Sequence, residues 1–190
     1  NQPHLLHYCM ITKQKTITLM TVFSLMSFGW GCIDGVEVEL WGWCYNIEET
    51  TTLEPSSEFT SGQVIPPEIG QLINLENFYC GWCDLQGPIP PEIGNLTNLQ
   101  NLFLRDNNLS GVIPSEIGNL TNLQNLDLED NQLTGEIPSD IENLTNLWDL
   151  DLSENLLTGE IPYGIWYLNN LYDLTLDDNQ LTGEIPPDIV

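Results

Sequence analysis

The sequence predicts an α/β solenoid: a stack of similar coils, each giving one short strand to a parallel sheet. Three observations carry that prediction. An Ile-Pro pair begins at Ile65, Ile89, Ile113, Ile137, Ile161 and Ile185, a step of 24 residues each time. Leu columns keep the same register, through Leu72, Leu96, Leu120, Leu144 and Leu168 and through Leu75, Leu99, Leu123, Leu147 and Leu171. Within each period a segment such as 101–105 alternates Leu102 and Leu104 with polar or variable neighbours, the rhythm of a strand with one buried face.

The remaining columns each have a physical task. Asn107, Asn131, Asn155 and Asn179 fall where the chain turns inward after the strand. A buried amide there can satisfy backbone groups of the adjacent coil and form a ladder. Gly87, Gly111, Gly135, Gly159 and Gly183 permit a backbone conformation closed to other residues. The Pro of each Ile-Pro pair fixes φ and removes a donor, which suits the side of the coil away from the sheet. The stretch 115–120 has room only for a turn or a short 3₁₀ helix. No single coil can bury its Leu and Ile set, so stability must come from neighbouring coils.

The run Leu-Thr-Asn-Leu-Gln-Asn-Leu-Asp-Leu-Glu-Asp-Asn-Gln-Leu-Thr-Gly-Glu-Ile-Pro at 120–138 resembles the plant-specific class of leucine-rich repeats. That class occurs in plant receptor kinases, polygalacturonase inhibitors and secreted bacterial proteins. The resemblance covers residues 62–190, with about ten columns in register. It implies a right-handed β–α superhelix with short parallel strands on a concave face and a 3₁₀-rich convex face. The near-absence of basic residues, with a secretion signal, points to a marine bacterial member.

Residues 1–31 read as an upstream leader and a secretory signal. Lys13 and Lys15 are the positive part. A mostly apolar stretch over 17–28 follows, too short to span a bilayer. Residues 32–62 are expected to form an N-terminal cap and a degenerate first repeat. Leu53 and Gly62 keep the spacing of Leu102 and Gly111, while Pro55 and Glu58 replace the usual Leu and Asn. Residues 36–45 alternate apolar side chains with large aromatics and predict a strand or hairpin lid, with Trp41 and Trp43 packing on the first coil. The solenoid is expected over 63–190, stopping inside a coil without a C-terminal cap.

An extracellular, oxidising setting favours disulfides over zinc or redox chemistry for the cysteines. Cys32 and Cys44 are expected to close the cap. Cys80 and Cys83 are either a tight pair or two buried thiols.

The formal charge is −25. From Asp34 onward, all 28 acids face a single base, Arg105. Such a surface repels nucleic acid and anionic lipid, and the sequence predicts no membrane insertion. Basic peptides, cations or a solvated acidic coat all remain compatible with it.

Strand positions pointing away from the core locate the candidate ligand-binding face: Tyr79, Trp82, Phe103 and Arg105 near the cap, then Asp127, Glu129, Asp149, Asp151, Asp173 and Asp177. The face is aromatic and mixed at one end and acidic at the other. Carboxylates on neighbouring parallel strands stand about 4.8 Å apart, and hard oxygen ligands suit Ca²⁺. Asp127, Asp151, Asp130 and Asp178 are the residues expected to bind it weakly; no other cofactor is implied.

Three functions follow. The first is a secreted or cell-surface module that binds a protein, peptide or glycan without catalysis. The second is a structural component that self-associates end to end at the surface or in a filament. The third, a carboxylate glycosidase, is disfavoured because all lysines and histidines precede residue 32 and the acids repeat along an open ribbon.

Overall fold

The computed structural model describes residues 32–184. The leader and signal expected over 1–31, and the open coil end expected beyond Glu184, lie outside the described residues. Among the described residues, no helix is long and apolar enough to cross a membrane.

The cap is an antiparallel hairpin of β1 (Glu37–Leu40) and β2 (Trp43–Asn46). Its two-residue turn, Trp41-Gly42, has positive φ at both positions (51° and 82°), the twist that suits a tight hairpin. Val38 and Leu40 are buried. The Trp41 ring lies 6.3 Å from Phe78, and its indole N–H donates to the Val64 carbonyl at 2.9 Å. Trp43 stays half exposed and meets Phe59 edge-on at 5.2 Å. Cys32 and Cys44 are disulfide-bonded with Cα atoms 5.5 Å apart, tying the start of the cap to β2.

The main sheet holds six parallel strands: β3 (Thr52–Leu53), β4 (Asn77–Tyr79), β6 (Asn101–Phe103), β8 (Asn125–Asp127), β10 (Asp149–Asp151) and β12 (Asp173–Thr175). Register runs in steps of one repeat, as in Phe78↔Leu102↔Leu126↔Leu150↔Leu174. Leu53 pairs with Phe78, so the degenerate first coil is in register. Where that coil lacks the repeat pattern, Ser56 caps a single helical turn, α1 (Ser57–Thr60), and the buried Thr60 hydroxyl donates to the Cys83 carbonyl at 2.7 Å.

The strand count per coil departs from expectation. The stretch after the inward turn is a second strand: β5 (Gln86–Gly87), β7 (Asn108–Gly111), β9 (Gln132–Glu136), β11 (Leu156–Glu160) and β13 (Gln180–Thr182) form another parallel sheet. Leu109, Leu133 and Leu157 are its buried residues, with Leu85 buried just before β5, and backbone bonds link each coil to its neighbour. The third side carries five 3₁₀ turns, Pro67–Gln71, Pro91–Asn95, Ser115–Asn119, Ser139–Asn143 and Tyr163–Tyr167.

The Leu and Ile columns make one continuous core. The Asn ladder runs through it. Asn131 Oδ1 accepts from the Leu109 N–H at 3.0 Å, and its Nδ2 donates to the carbonyls of Leu104, Leu128 and Glu129. Asn107 and Asn155 repeat the pattern. Among the described residues no buried side-chain N or O lacks a partner. A second, exposed ladder accompanies it. Asn98, Asn122, Asn146 and Asn170 each donate to a carbonyl of the preceding coil at 2.7–2.9 Å.

The candidate binding face

The outward positions of the six-stranded sheet form three rows. One row holds Asn77, Asn101, Asn125, Asp149 and Asp173. Its amides link directly, Asn101 to Asn77 and Asn125 to Asn101, each at 2.6 Å. The middle row holds Tyr79, Phe103, Asp127, Asp151 and Thr175, which pair strand to strand. The third row is Gly81, Arg105, Glu129, Ser153 and Asp177.

At the cap end, Tyr79 and Phe103 stack with centroids 5.4 Å apart. Arg105 reaches across the place where Gly81 has no side chain; a Cβ there would stand 3.3 Å from Arg105 Cγ. Its guanidinium lies 4.2 Å above the exposed Trp82 ring. Arg105 Nε is 3.9 Å from both Asp106 and Asp127. Four predicted residues, Tyr79, Trp82, Phe103 and Arg105, thus meet as two stacked pairs.

Trp82, Asp106, Asp130, Glu154 and Asp178 share a left-handed backbone, with φ between 47° and 55°. This residue turns the chain from strand to Asn ladder. Asp and Asn tolerate that conformation best among residues with side chains, which accounts for Asp106, Asp130 and Asp178 in this column.

The acidic end differs from expectation in two ways. Asp127 is not an open surface carboxylate but is 7% exposed. Phe103 and Asp151 flank it on the neighbouring strands, and Arg105 lies close. Burial pushes its carboxyl up to about 6, Asp151 adds to the rise, and the Glu129 N–H and Arg105 oppose it. The second difference is which acids converge. Asp127, Glu129 and Asp151 place carboxylate oxygens within 4.8 Å of one another. Asp130 and Asp178 sit at the left-handed corner and are not part of that group. Glu129 and Asp149 are also raised, by partial burial first and by neighbouring carboxylates second. Asp151 is held by Ser153, whose N–H and hydroxyl both donate to its Oδ1. Asp173 and Asp177 are exposed.

Cys80 and Cys83 form a tight disulfide, with Cα atoms 5.4 Å apart, beneath this face. The face also carries an exposed pair outside the sequence-predicted set. Trp148 and Tyr172, immediately before β10 and β12, stack with centroids 5.4 Å apart. Earlier coils carry Glu76, Gln100 and Gln124 in that column, so the change of chemistry is visible in the repeat itself.

The Leucine Rich Repeat family pattern matches residues 74–96, 98–120, 122–144, 146–168 and 170–190, more than half of the chain. Comparison with curated proteins gave no match. Among solved structures, the chain is similar to the leucine-rich-repeat ectodomain of the membrane receptor kinase GASSHO1/SCHENGEN3 from Arabidopsis thaliana, in complex with CASPARIAN STRIP INTEGRITY FACTOR 2. Identity is 39%, the TM-score is 0.69, and the match covers 73% of this chain and 16% of that one. A TDR receptor matches at 40% identity and TM-score 0.71, over 75% of this chain and 24% of that one. The Arabidopsis receptor kinase HAESA, solved with the peptide hormone IDA and the co-receptor SERK1, matches at 39% identity and TM-score 0.62, over 69% and 22%. The chain therefore spans less than a quarter of the length of these structures. They give no support to the marine bacterial origin expected from composition.

Proposed function

The chain belongs to the leucine-rich-repeat family, and from that premise we propose that it is an extracellular interaction module of the plant-specific repeat class. It binds a peptide or protein partner on its six-stranded face and catalyses nothing. The observation that carries this reading is the division of labour across each strand. Leu102, Leu126 and Leu150 are buried on one side, while the rows on the other side fill no core and run unbroken across the coils.

Two of the similar ectodomains are solved with a bound partner, and a peptide hormone is among these partners. Extended peptides suit such a face, because successive side chains can meet successive coils. Two disulfides among the described residues agree with an extracellular setting. The acidic surface argues against nucleic acid as the partner.

A peptide and glycan array probed with the purified chain tests the proposal. Hits are expected among peptides, and a Tyr79→Ala, Phe103→Ala, Asp151→Asn variant should lose them. A variant that keeps every hit would move the binding surface elsewhere. An array with glycan hits alone would overturn the choice of partner.

A second reading concerns Ca²⁺. Asp127, Glu129 and Asp151 together would supply hard oxygen ligands, and their mutual closeness favours a cation. Adding Ca²⁺ at fixed ionic strength should then raise the melting temperature, and Glu129→Gln should abolish the rise. No shift would leave diffuse counterions as the account of these acids.

A further inference from the structure

The stacked pair Trp148–Tyr172 is left exposed at the edge of the face. Trp148 is 57% and Tyr172 82% exposed, which places two large rings in solvent side by side. The Trp148 carbonyl accepts from the N–H groups of Tyr172 and Asp173, fixing the two coils in register beneath the rings. Asp149 and Asp173 follow the rings directly and pair across the strands. The result is an exposed aromatic pair followed on both coils by a pair of mutually close carboxylates.

We propose that this edge is a docking site for an arginine side chain of a basic peptide partner. The proposal rests on the reading of the six-stranded face as a binding surface, and it names the partner's chemistry. The same chain already holds one guanidinium in this manner. Arg105 lies over Trp82, with Asp106 and Asp127 at 3.9 Å from its Nε. At Trp148–Tyr172 the rings and the carboxylates are present, and the cation is left for the partner to bring. A delocalised guanidinium stacks on an aromatic face and is more weakly hydrated than an ammonium.

A pyranose ring could stack on the same surface, but its hydroxyls need donors as well as acceptors. The nearby amides of Asn146 and Asn170 each commit one of their two N–H groups to the Thr121 and Thr145 carbonyls, which leaves few donors for a sugar. Ionised carboxylates only accept. With 28 acids in the chain and one base beyond residue 31, charge complementarity selects a cation.

Fluorescence anisotropy of a labelled hexa-arginine peptide on the full chain tests this, with hexa-lysine and chitohexaose as comparators. Hexa-arginine should bind more tightly than hexa-lysine, and chitohexaose should not compete. Trp148→Ala with Tyr172→Ala should weaken hexa-arginine roughly three- to thirtyfold. Asp149→Asn with Asp173→Asn should weaken it and flatten its salt dependence. Tyr163→Ala with Tyr167→Ala, a stacked exposed pair on the 3₁₀ side of the coils, should change it less than about twofold, since separated sites act independently. Unchanged affinity in the Trp148/Tyr172 variant overturns the arginine site, while the wider reading stands if the Tyr79→Ala, Phe103→Ala, Asp151→Asn variant loses its array hits. Salt-insensitive displacement of the peptide by chitohexaose would make the edge a glycan platform and would equally overturn the proposal.

Discussion

Gly164 lies against the side chain of Glu142 in the preceding coil, and a Cβ at Gly164 would collide with it. The earlier coils solve the same contact from the other side. A Cβ on Gly118 would stand 2.5 Å from the Asp140 carbonyl oxygen and 2.7 Å from its Cβ; Gly70 and Gly94 face Glu92 and Glu116 alike. Residues 118 and 142 share one column, and 140 and 164 share another. One partner in each contact has no side chain, and in the contact between the fourth and fifth 3₁₀ turns the glycine has changed sides.

That exchange makes a double-mutant prediction. Gly164→Ala should destabilise the chain by about 1–3 kcal/mol, the usual cost of overpacking. Adding Glu142→Gly should recover part of the loss, with a coupling of about 1 kcal/mol or more. Urea unfolding of the four proteins measures it. Additive losses would mean that the coils can shift apart at this contact.

The Asn ladder predicts a larger effect from a smaller change. Asn131→Ala leaves the Leu109 N–H without its partner, while the carbonyls of Leu104, Leu128 and Glu129 each lose one donor and keep another, from Asn107, Asn155 and Asp106. Leaving that one buried N–H unsatisfied costs about 1–3 kcal/mol and the lost amide bonds add to it, so the total should reach about 3 kcal/mol. Asn179, half-buried in the last described coil, makes the same bonds. Asn179→Ala should cost less, because solvent can replace the amide there. Equal losses at both positions would separate the ladder's strength from its burial.

The two networks differ in how far sequence alone reveals them. The Asn131 column is legible, because a polar residue that recurs inside an apolar register must be meeting buried backbone groups. The first strand of each coil is legible from the alternation of Leu102 and Leu104. The second strand is not: Gln132–Glu136 carries Thr and Gly, which read as turn residues, and its partner strands lie one repeat away. The burial of Asp127 is hidden for a related reason. It comes from Phe103, Arg105 and Asp151, residues on adjacent coils, whereas periodicity reports only the side of the strand on which a residue stands. The glycine exchange is visible as Gly70, Gly94 and Gly118 in register, but the compensating Gly164 needs the coil-to-coil contact to be understood.

The cap gives a prediction about cooperativity. Cys32 and Cys44 are 12 residues apart, and closing a loop of that size contributes about 3 kcal/mol. Cys32→Ser with Cys44→Ser should loosen the hairpin, expose Leu40 and weaken the first coil at Leu53 and Phe78. Because each coil touches only its neighbours, the loss should start at this end. Hydrogen exchange should therefore rise in residues 36–60 before it rises at Leu150. Uniform exchange along the whole chain would show that the solenoid opens as one unit.

Asp127 sets the direction of the pH dependence. Its folded value is about 6 against an ordinary 3.8, with burial the largest cause. An acid raised in this way holds its proton more tightly folded than unfolded. Its stabilising contribution is complete below about pH 3.8 and is lost as pH rises through about 6. A shift of about two units corresponds to about 3 kcal/mol at most. Glu129 and Asp149 are raised as well and act in the same direction. The melting temperature should accordingly climb as pH falls from about 7 to about 5. Asp127→Asn keeps the shape and the acceptor for the Glu129 N–H while removing the charge. It should melt higher than the parent at neutral pH and flatten the profile in that window. A lower melting temperature with an unchanged slope would place the titration elsewhere, with Glu129 and Asp149 the next residues to replace.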